Sequence, residues 1–406
     1  VNFYFLREEP EDDNGVFAAI NEKLKQKLNC YMTVTYVPFG EVNTTYPLLL
    51  ASQTRMDAIF SAYFTGYGTL AGKNAFMEMT EDMLKTYAPQ TWESVSADHW
   101  ELCKYNGEIY MIPEDNYAQW TNHGFMYRGD WAKEAGLENG VHSWEDLGVY
   151  FQWIKDNKEG VYHWDADGNG SSYSPQMSGG WQTSHLEGDE LVNFAKTMKS
   201  WADAGYWRTD VLNYSGQQDA LMKEGTSGAR QHHTETWTGF RTDMEEAQPG
   251  SDLGFFFFGE EMNNLVSLNI THGAMAIAQT SKNPERALMV YDLLRNDPEI
   301  YRLMMYGIEG EMYTIDENGY MVRPEGFDST TDGVTFNWWW GRNDDLGLRD
   351  ANRDWEAIDA LYARYDEIAI DYPYGQVVFD LTNIQVQHLY ASYLLRPDGR
   401  SGSLCG

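Results

Sequence analysis

Basic residues are scarce in this chain: 29 Lys and Arg stand against 62 Asp and Glu, for a formal net charge of −33. Such a surface repels phosphate backbones and anionic headgroups, which argues against nucleic acid and against a bare membrane surface as partners. Cysteine is scarcer still. Cys30, Cys103 and Cys405 are the whole set, too few and too odd in number for a disulfide framework, and no C-x-x-C pair offers a zinc site. Long apolar runs are missing too. Stretches such as 255–258 are strand-sized, far below the roughly 18 residues of a membrane helix. There is no G-x-S-x-G, no H-E-x-x-H and no P-loop, which removes the commonest sequence signs of hydrolase and nucleotide chemistry. No initiator Met or apolar leader opens the chain, so we expect an export segment upstream to have been removed. Sparse cysteine and high acidity suit the exterior of a Gram-positive cell.

What is abundant is aromatic: 15 Trp, 27 Tyr and 18 Phe. Trp and Tyr combine a rigid apolar face with one polar handle, which suits sugar rings with their apolar C–H faces and hydroxyl edges. Burial in cores is the plainer use of the same residues. At 406 residues the chain exceeds one ordinary core, and two domains are expected. No internal repeat marks a solenoid.

The first sixty residues read strand, helix, strand, helix, strand. Residues 1–6 are apolar and β-prone. Phe17, Ile20, Leu24 and Leu28 recur at helical spacing. Residues 31–39 and 56–60 read as further strands. This alternation predicts an α/β fold with a mostly parallel sheet, whose ligands gather beyond the carboxyl ends of the strands. Arg7-Glu8-Glu9 and Ser61-Ala62-Tyr63 then lie near one site. Ser143 is an expected cap for a helix carrying Trp144, Leu147, Tyr150, Phe151 and Ile154. Asn283-Pro284-Glu285 is an expected helix start, with Ala287, Leu288, Val290, Tyr291 and Leu294 on its buried face.

Several segments carry a family resemblance. Leu48-Leu49-Leu50-Ala51-Ser52-Gln53 with Met56-Asp57-Ala58-Ile59 is the first. Tyr105-Asn106-Gly107-Glu108-Ile109-Tyr110-Met111-Ile112-Pro113 is the second. Tyr127-Arg128-Gly129-Asp130-Trp131, Ala135-Gly136-Leu137 and Ser143-Trp144-Glu145-Asp146-Leu147 follow. Then come Leu221-Met222-Lys223-Glu224-Gly225, Ser281-Lys282-Asn283-Pro284-Glu285-Arg286-Ala287 and Tyr306-Gly307-Ile308-Glu309-Gly310-Glu311. Taken in order, these resemble the extracellular solute-binding proteins of bacterial ABC transporters. Within that group the closest likeness is to the family 1 carbohydrate-type lipoproteins of Gram-positive gut bacteria, in the subgroup with a carboxyl-terminal domain of unknown function.

The resemblance implies a two-lobed α/β fold of the periplasmic-binding-protein kind, with a hinge and an interlobe ligand cleft. It places residues 1–113 and 272–325 in one lobe and 114–271 and 326–406 in the other, with a third crossing between 315 and 335. It implies capture of an oligosaccharide outside the cell and delivery to permease subunits, by a monomer held to the membrane only through a lipid anchor. No cofactor is required.

On that template the expected stacking residues are Tyr63, Tyr117, Trp120, Trp181, Trp237 and the run Trp338-Trp339-Trp340, of which one or two must be core because successive side chains diverge. Expected polar partners are Glu9, Asn116, Glu235, Asn269 and Arg342. Asp57 has the alternative of capping a turn. Asp165, Asp167, Asn169 and Ser171 form the start of a calcium loop, with Gly170 at the sharp turn but Gln176 where a bidentate Glu belongs. Either a partial calcium loop or a plain turn fits. Two other classes remain. A secreted glycoside hydrolase needs two carboxylates about 5 to 10 Å apart, and the pairs Glu114-Asp115, Glu260-Glu261 and Asp344-Asp345 are sequence neighbours that do not face one site. A glycan-binding surface protein without a transporter is the other.

Overall fold

The computed structural model describes residues 1–370 other than 8, 11, 12, 43, 53, 115–122, 165–188, 212–217, 262, 264, 267–269, 329, 330 and 335–337. Strand β1 (Asn2–Leu6) buries Phe3 through Leu6 on both faces, as a strand flanked by neighbours and covered on each side must. Helix α1 (Val16–Leu28) buries Val16, Ile20 and Leu24 on one face and ends at Asn29, in the left-handed conformation at φ 50°. β2 (Thr33–Val37), α2 (Thr45–Ala51) and β3 (Ala58–Ser61) follow. β1 runs parallel to both β2 and β3. A hairpin of β4 (Lys104–Tyr105) and β5 (Glu108–Ile109) leads to β6 (Ile112–Pro113).

A second body begins at β7 (His123–Tyr127), with α3 (Trp144–Asn157), β8 (Ala229–His233), α4 (Thr234–Ala247) and β9 (Gly254–Phe257). β7 lies central and antiparallel to β8 and β9. Its approach to β9 is tight enough that a Cβ on Gly124 would stand 2.3 Å from the Phe256 carbonyl oxygen. In α3 the Ser143 hydroxyl accepts the Asp146 N–H, and the five apolar residues expected to be buried are buried.

After β10 (Leu265–Val266) the chain returns to the first sheet as β11 (Ala274–Ile277), antiparallel between β3 and β6. The strand order is β2-β1-β3-β11-β6. α5 (Pro284–Asn296) and α6 (Pro298–Tyr306) cover that sheet, and the hairpin β12 (Thr314–Ile315)–β13 (Met321–Val322) follows. α5 starts at Pro284 and buries the five residues read from its spacing, although the Asn283 side chain makes no cap bond. α7 (Trp355–Ile368) and β14 (Ala369–Ile370) rejoin the second body, where β14 pairs with β10.

The third crossing differs from the expected 315–335. Phe327, Val334, Trp338, Trp340, Leu346 and Leu348 all pack on the core of the first body, and Asp350 still bridges to Met321. The indoles anchor this stretch. Trp338 and Trp340 lie against Phe5 at 5.7 and 5.2 Å between centroids, and against Tyr291 at 5.7 and 6.4 Å. The chain enters the second body with α7, whose Ile358 joins Met126, Phe240 and Met244. Phe327, Val334, Trp338, Trp340, Leu346 and Leu348, in the stretch assigned by resemblance to the second lobe, therefore belong with the first. Among the described residues no helix is long and apolar enough to cross a membrane.

Candidate functional site

Parallel pairing brings the carboxyl ends of β1, β2 and β3 to one edge, delivering Arg7, Phe39 and the Tyr63–Phe64 pair there. The antiparallel β11 starts at that edge, because Ala274 pairs with Ser61, and so His272 and Glu114 arrive beside them. Tyr63 and Phe64 sit on a tight turn closed by Thr65, whose hydroxyl accepts the Ala62 N–H at 3.0 Å, and by Gly66 at φ 80°. That turn turns both rings outward, leaving Tyr63 51% and Phe64 36% exposed. They meet edge to face at 5.6 Å and 89°, and the His272 ring lies 6.1 and 6.0 Å from them.

The second body contributes a group of imidazoles. His123 pairs directly across the ladder with His233, and Gly124 with His232. The His232 and His233 rings are 4.3 Å apart, and the His123 ring is 5.9 and 5.8 Å from them. Each has a hydrogen-bond partner. Gln231 Nε2 stands 2.7 Å from His123 Nδ1. Thr236 Oγ1 is 2.8 Å from His232 Nδ1, and the Thr236 N–H donates to His233 Nδ1 at 3.2 Å, capping α4. Burial, reinforced by the neighbouring imidazoles, pushes the pKa of His123 down to about 3 and that of His232 to about 2. Burial likewise brings His233 and His272 to about 4. All four are neutral at pH 7, and a neutral imidazole offers one donor and one acceptor.

Glu235, in the first turn of α4, links this group to two arginines. Its carboxylate lies 3.5 Å from Arg342 Nη1 and 3.6 Å from Arg353 Nη1, and Arg342 is also paired with Asp344. Burial works against the Arg342 charge, but Glu235 and Asp344 outweigh it and hold its pKa well above the ordinary value. The resulting edge combines half-exposed rings, neutral imidazoles and a charge-balanced Arg–Glu–Arg group. It can stack on apolar ring faces and hydrogen-bond hydroxyls.

The residues expected from the sequence fall in three places. Tyr63 stands at this edge beside His272, Glu235 and Arg342 pair with each other at 3.5 Å, and Glu9 is exposed close to the edge in sequence. Trp237 does not reach it. The residue is 4% exposed, its Nε1–H donates to the Leu253 carbonyl at 3.0 Å, and its ring stacks on Phe255 at 5.8 Å. The segment after the His pair is a helix, and the spacing Trp237, Phe240, Met244 puts Trp237 on its buried stripe. Trp338 and Trp340 are likewise core, 3% and 0% exposed, in a 3₁₀ turn that tucks both indoles under the sheet. The side chain of Trp339 lies outside the described residues, as do Asn116, Tyr117, Trp120, Trp181, Asn269 and the loop residues Asp165, Asp167, Asn169 and Ser171. Asp57 is structural: fully buried, it accepts the Asn2 N–H at 2.9 Å and the Ser281 hydroxyl at 2.7 Å.

Sequence reading missed Phe64, His272, His233 and Arg353. Phe64 carried a signal, since it follows a strand end beside Tyr63. The histidines carried none without the ladder register that pairs them. Among the described residues no group of three or more His, Cys, Asp or Glu is arranged to hold a metal ion.

An open sheet with one returning antiparallel strand, joined through repeated crossings to a second α/β body, defines a two-lobed binding-protein fold with a cleft between the lobes. The chain belongs to the family described as bacterial extracellular solute-binding protein, whose profile matches residues 18–304. A carbohydrate ABC transporter substrate-binding protein of Streptococcus pneumoniae serotype 4 is 22% identical over 338 residues, covering 77% of this chain and 65% of that protein. The chain thus spans slightly less than two thirds of that curated relative's length. In fold it is similar to the crystal structure of the N-glycan transport solute-binding protein of S. pneumoniae, with a TM-score of 0.79 at 17% identity over 99% of this chain and 90% of that one. It is also similar to an HMO-binding, ABC-transporter-associated solute-binding protein of Bifidobacterium longum infantis, with a TM-score of 0.62 at 13% identity over 94% and 84% of the two chains.

Proposed function

We propose that this chain captures an oligosaccharide outside the cell, in the cleft between its lobes, and delivers it to the permease of an ABC transporter without altering it. The observation that carries the reading is the Tyr63–Phe64 platform, with its rings turned outward at the carboxyl edge of the first sheet. Such rings supply stacking area for sugar C–H faces. The neutral imidazoles and Glu235 supply hydroxyl partners. Charge balance around Arg342 favours a neutral glycan over a uronate, since Arg342 and Arg353 are matched by Glu235 and Asp344. A lipid anchor, a monomeric state and an added structural calcium in the loop at 165–171 belong to the same proposal, and the ligand contacts rest on none of them.

Thermal-shift and calorimetric titration against a glycan panel test it. The ligands named for the two structural relatives, N-glycan and HMO, choose the first members. Binding to the folded state should raise the melting temperature with sugar concentration, and the sugar should be recovered intact. Cleaved products would replace the binder with a hydrolase, and a silent panel would remove oligosaccharide as the ligand class.

A further inference from the structure

The carboxyl edge of the first sheet carries a second aromatic ring that repeats the placement of Tyr63. Leu6 pairs with Val37 on one side of β1. On the other side Tyr4 pairs with Ile59, and two residues further along these strands stand Leu6 and Ser61. Val37, Leu6 and Ser61 therefore share one cross-strand row. Phe39 lies two residues beyond Val37, and Tyr63 lies two residues beyond Ser61. The two residues leave the sheet at the same height, on either side of the point where β1 ends.

Their local geometry also matches. Each strand is followed by one extended residue, Pro38 at ψ 142° and Ala62 at ψ 168°. A 3₁₀ turn then opens on the aromatic, Phe39–Glu41 in one case and Tyr63–Thr65 in the other. The Glu41 N–H donates to the Pro38 carbonyl at 2.9 Å, and the Val42 N–H to the Phe39 carbonyl at 3.3 Å. The counterparts run from the Thr65 N–H to the Ala62 carbonyl at 3.2 Å and from the Gly66 N–H to the Tyr63 carbonyl at 3.0 Å. Both turns hold their first ring out of the core, and Phe39 and Tyr63 are each 51% exposed. Next to Phe39 stands Gly40, where an added Cβ would meet nothing within 4 Å, so the surface there is open. A single exposed apolar side chain needs no explanation. Two rings set in one row by the same strand-to-turn geometry do.

We propose that Phe39 is a second stacking platform of the glycan site, and that the site selects its ligand by length, since only a trisaccharide or longer reaches both Tyr63 and Phe39. This inference rests on the cleft reading above. Neighbouring strands are about 4.8 Å apart, so the two platforms stand about 10 Å apart across β1, roughly twice the advance of one pyranose along a chain. A disaccharide seated on Tyr63 stops short of Phe39. A trisaccharide puts its end units on the two platforms. Its middle unit falls over the exit of β1, where Arg7 is half-buried and Glu9 exposed, and side chains of that kind suit hydroxyls. Phe39 has no polar handle. It adds contact area without choosing among hydroxyl patterns, and so rewards chain length more than sugar identity.

Calorimetric titration with milk-oligosaccharide and N-glycan fragments, graded from disaccharide to pentasaccharide, tests this on the native chain, F39A, F39Y and Y63A. The native chain should gain about tenfold in affinity between disaccharide and trisaccharide, with little beyond. F39A should lose that step, binding trisaccharides and longer fragments about tenfold more weakly and disaccharides within about twofold. F39Y keeps the ring and should keep the step. Y63A should weaken every length. Because the Phe39 ring is exposed, F39A should melt with the native chain. If it does not fold, F39L, which keeps apolar bulk and loses the flat face, takes its place. No step at the trisaccharide in the native chain, a step that survives in F39A, or an equal loss in F39A at every length would each overturn the proposal. Native affinities throughout in F39A would also overturn it, and would leave the exposed ring to a contact with another protein. A native chain silent toward every fragment would refute the proposed function and this inference with it, whereas binding without the length step would refute this inference alone.

Discussion

Glu235 and Arg342 meet across the two lobes, with Arg342 Nη1 3.5 Å from the carboxylate. Glu235 sits in the first turn of α4, in the second body. Arg342 follows the buried Trp338 and Trp340, whose indoles fix it to the first. The pair is a polar strut at the cleft, and each partner has a second tie: Arg353 for Glu235 and Asp344 for Arg342. R342A should therefore cost little in global stability, within about 1 kcal/mol for a partly exposed pair. It should shift the ligand-free lobe equilibrium toward open by roughly fivefold. Single-molecule distance measurement between labelled lobes reads the shift directly, and an unchanged distribution would show that the strut does not hold the lobes.

Tyr63 and Trp237 separate contact from packing. Tyr63 is 51% exposed and Trp237 is 4% exposed. Y63A should leave the melting temperature nearly unchanged and weaken glycan affinity by about 2 kcal/mol, a factor of roughly 30, as for an aromatic at the centre of a contact. W237A should do the reverse. It empties a site between α4 and β9, removes one of the two donors to the Leu253 carbonyl, the other being Arg241, and should destabilise the fold by about 3 to 5 kcal/mol. Its surviving folded fraction should bind with near-native affinity. Full stability in W237A, or full affinity in Y63A, would reverse the assignment of the two rings.

The contrast marks where sequence reading works. Periodicity identified α1, α3 and α5, because each buries one regular face and the apolar residues repeat with the helical period, while β1 was legible as a short continuous apolar run. The carboxyl-edge rule then found Tyr63, since it needs only the order of parallel strands. Trp237 failed because a family template put its segment at the cleft, while the spacing to Phe240 and Met244 already said buried helix face. In the Trp run, one or two core members were expected, and Trp338 and Trp340 are core. Which members those are depends on Phe5 and Tyr291, hundreds of residues and tens of residues away, and no local pattern encodes such a contact. The His123–His232–His233 group is hidden in the same way, by a ladder register that exists only once the chain has folded.

Trp340 supplies a test of the corrected third crossing. Its indole, 0% exposed, lies 5.2 Å from Phe5 and 5.8 Å from Phe60, so it belongs to the core of the first lobe. W340A should cost about 3 to 5 kcal/mol. Hydrogen exchange should show the loss of protection in β1, β3 and α5, with the helices of the second lobe affected less. Deprotection confined to α4 and α7 would return Trp338 and Trp340 to the second lobe.

Stability should depend on pH in two opposed ways. His123, His232, His233 and His272 have folded pKa values of about 3, 2, 4 and 4, below the roughly 6.5 of an unfolded chain. Between these limits the unfolded state binds more protons, so stability is whole above about pH 6.5 and falls as pH drops toward 4. Each imidazole can contribute up to about 1.4 kcal/mol per pH unit, less where the sites share one penalty. His142 acts in the other direction. Its hydrogen bond to Glu260 raises it to about 9, so its contribution is whole below about 6.5 and is lost as pH rises through 9. That term is small, since the ring is largely exposed. Urea unfolding from pH 4 to 10 should give a steep acid limb and a shallow alkaline one. In H272Q the acid limb should flatten and the alkaline limb should not move, whereas H142Q should affect only the alkaline limb. An acid limb unchanged in H272Q would show that carboxylate protonation, and not the buried imidazoles, sets the acid stability of this protein.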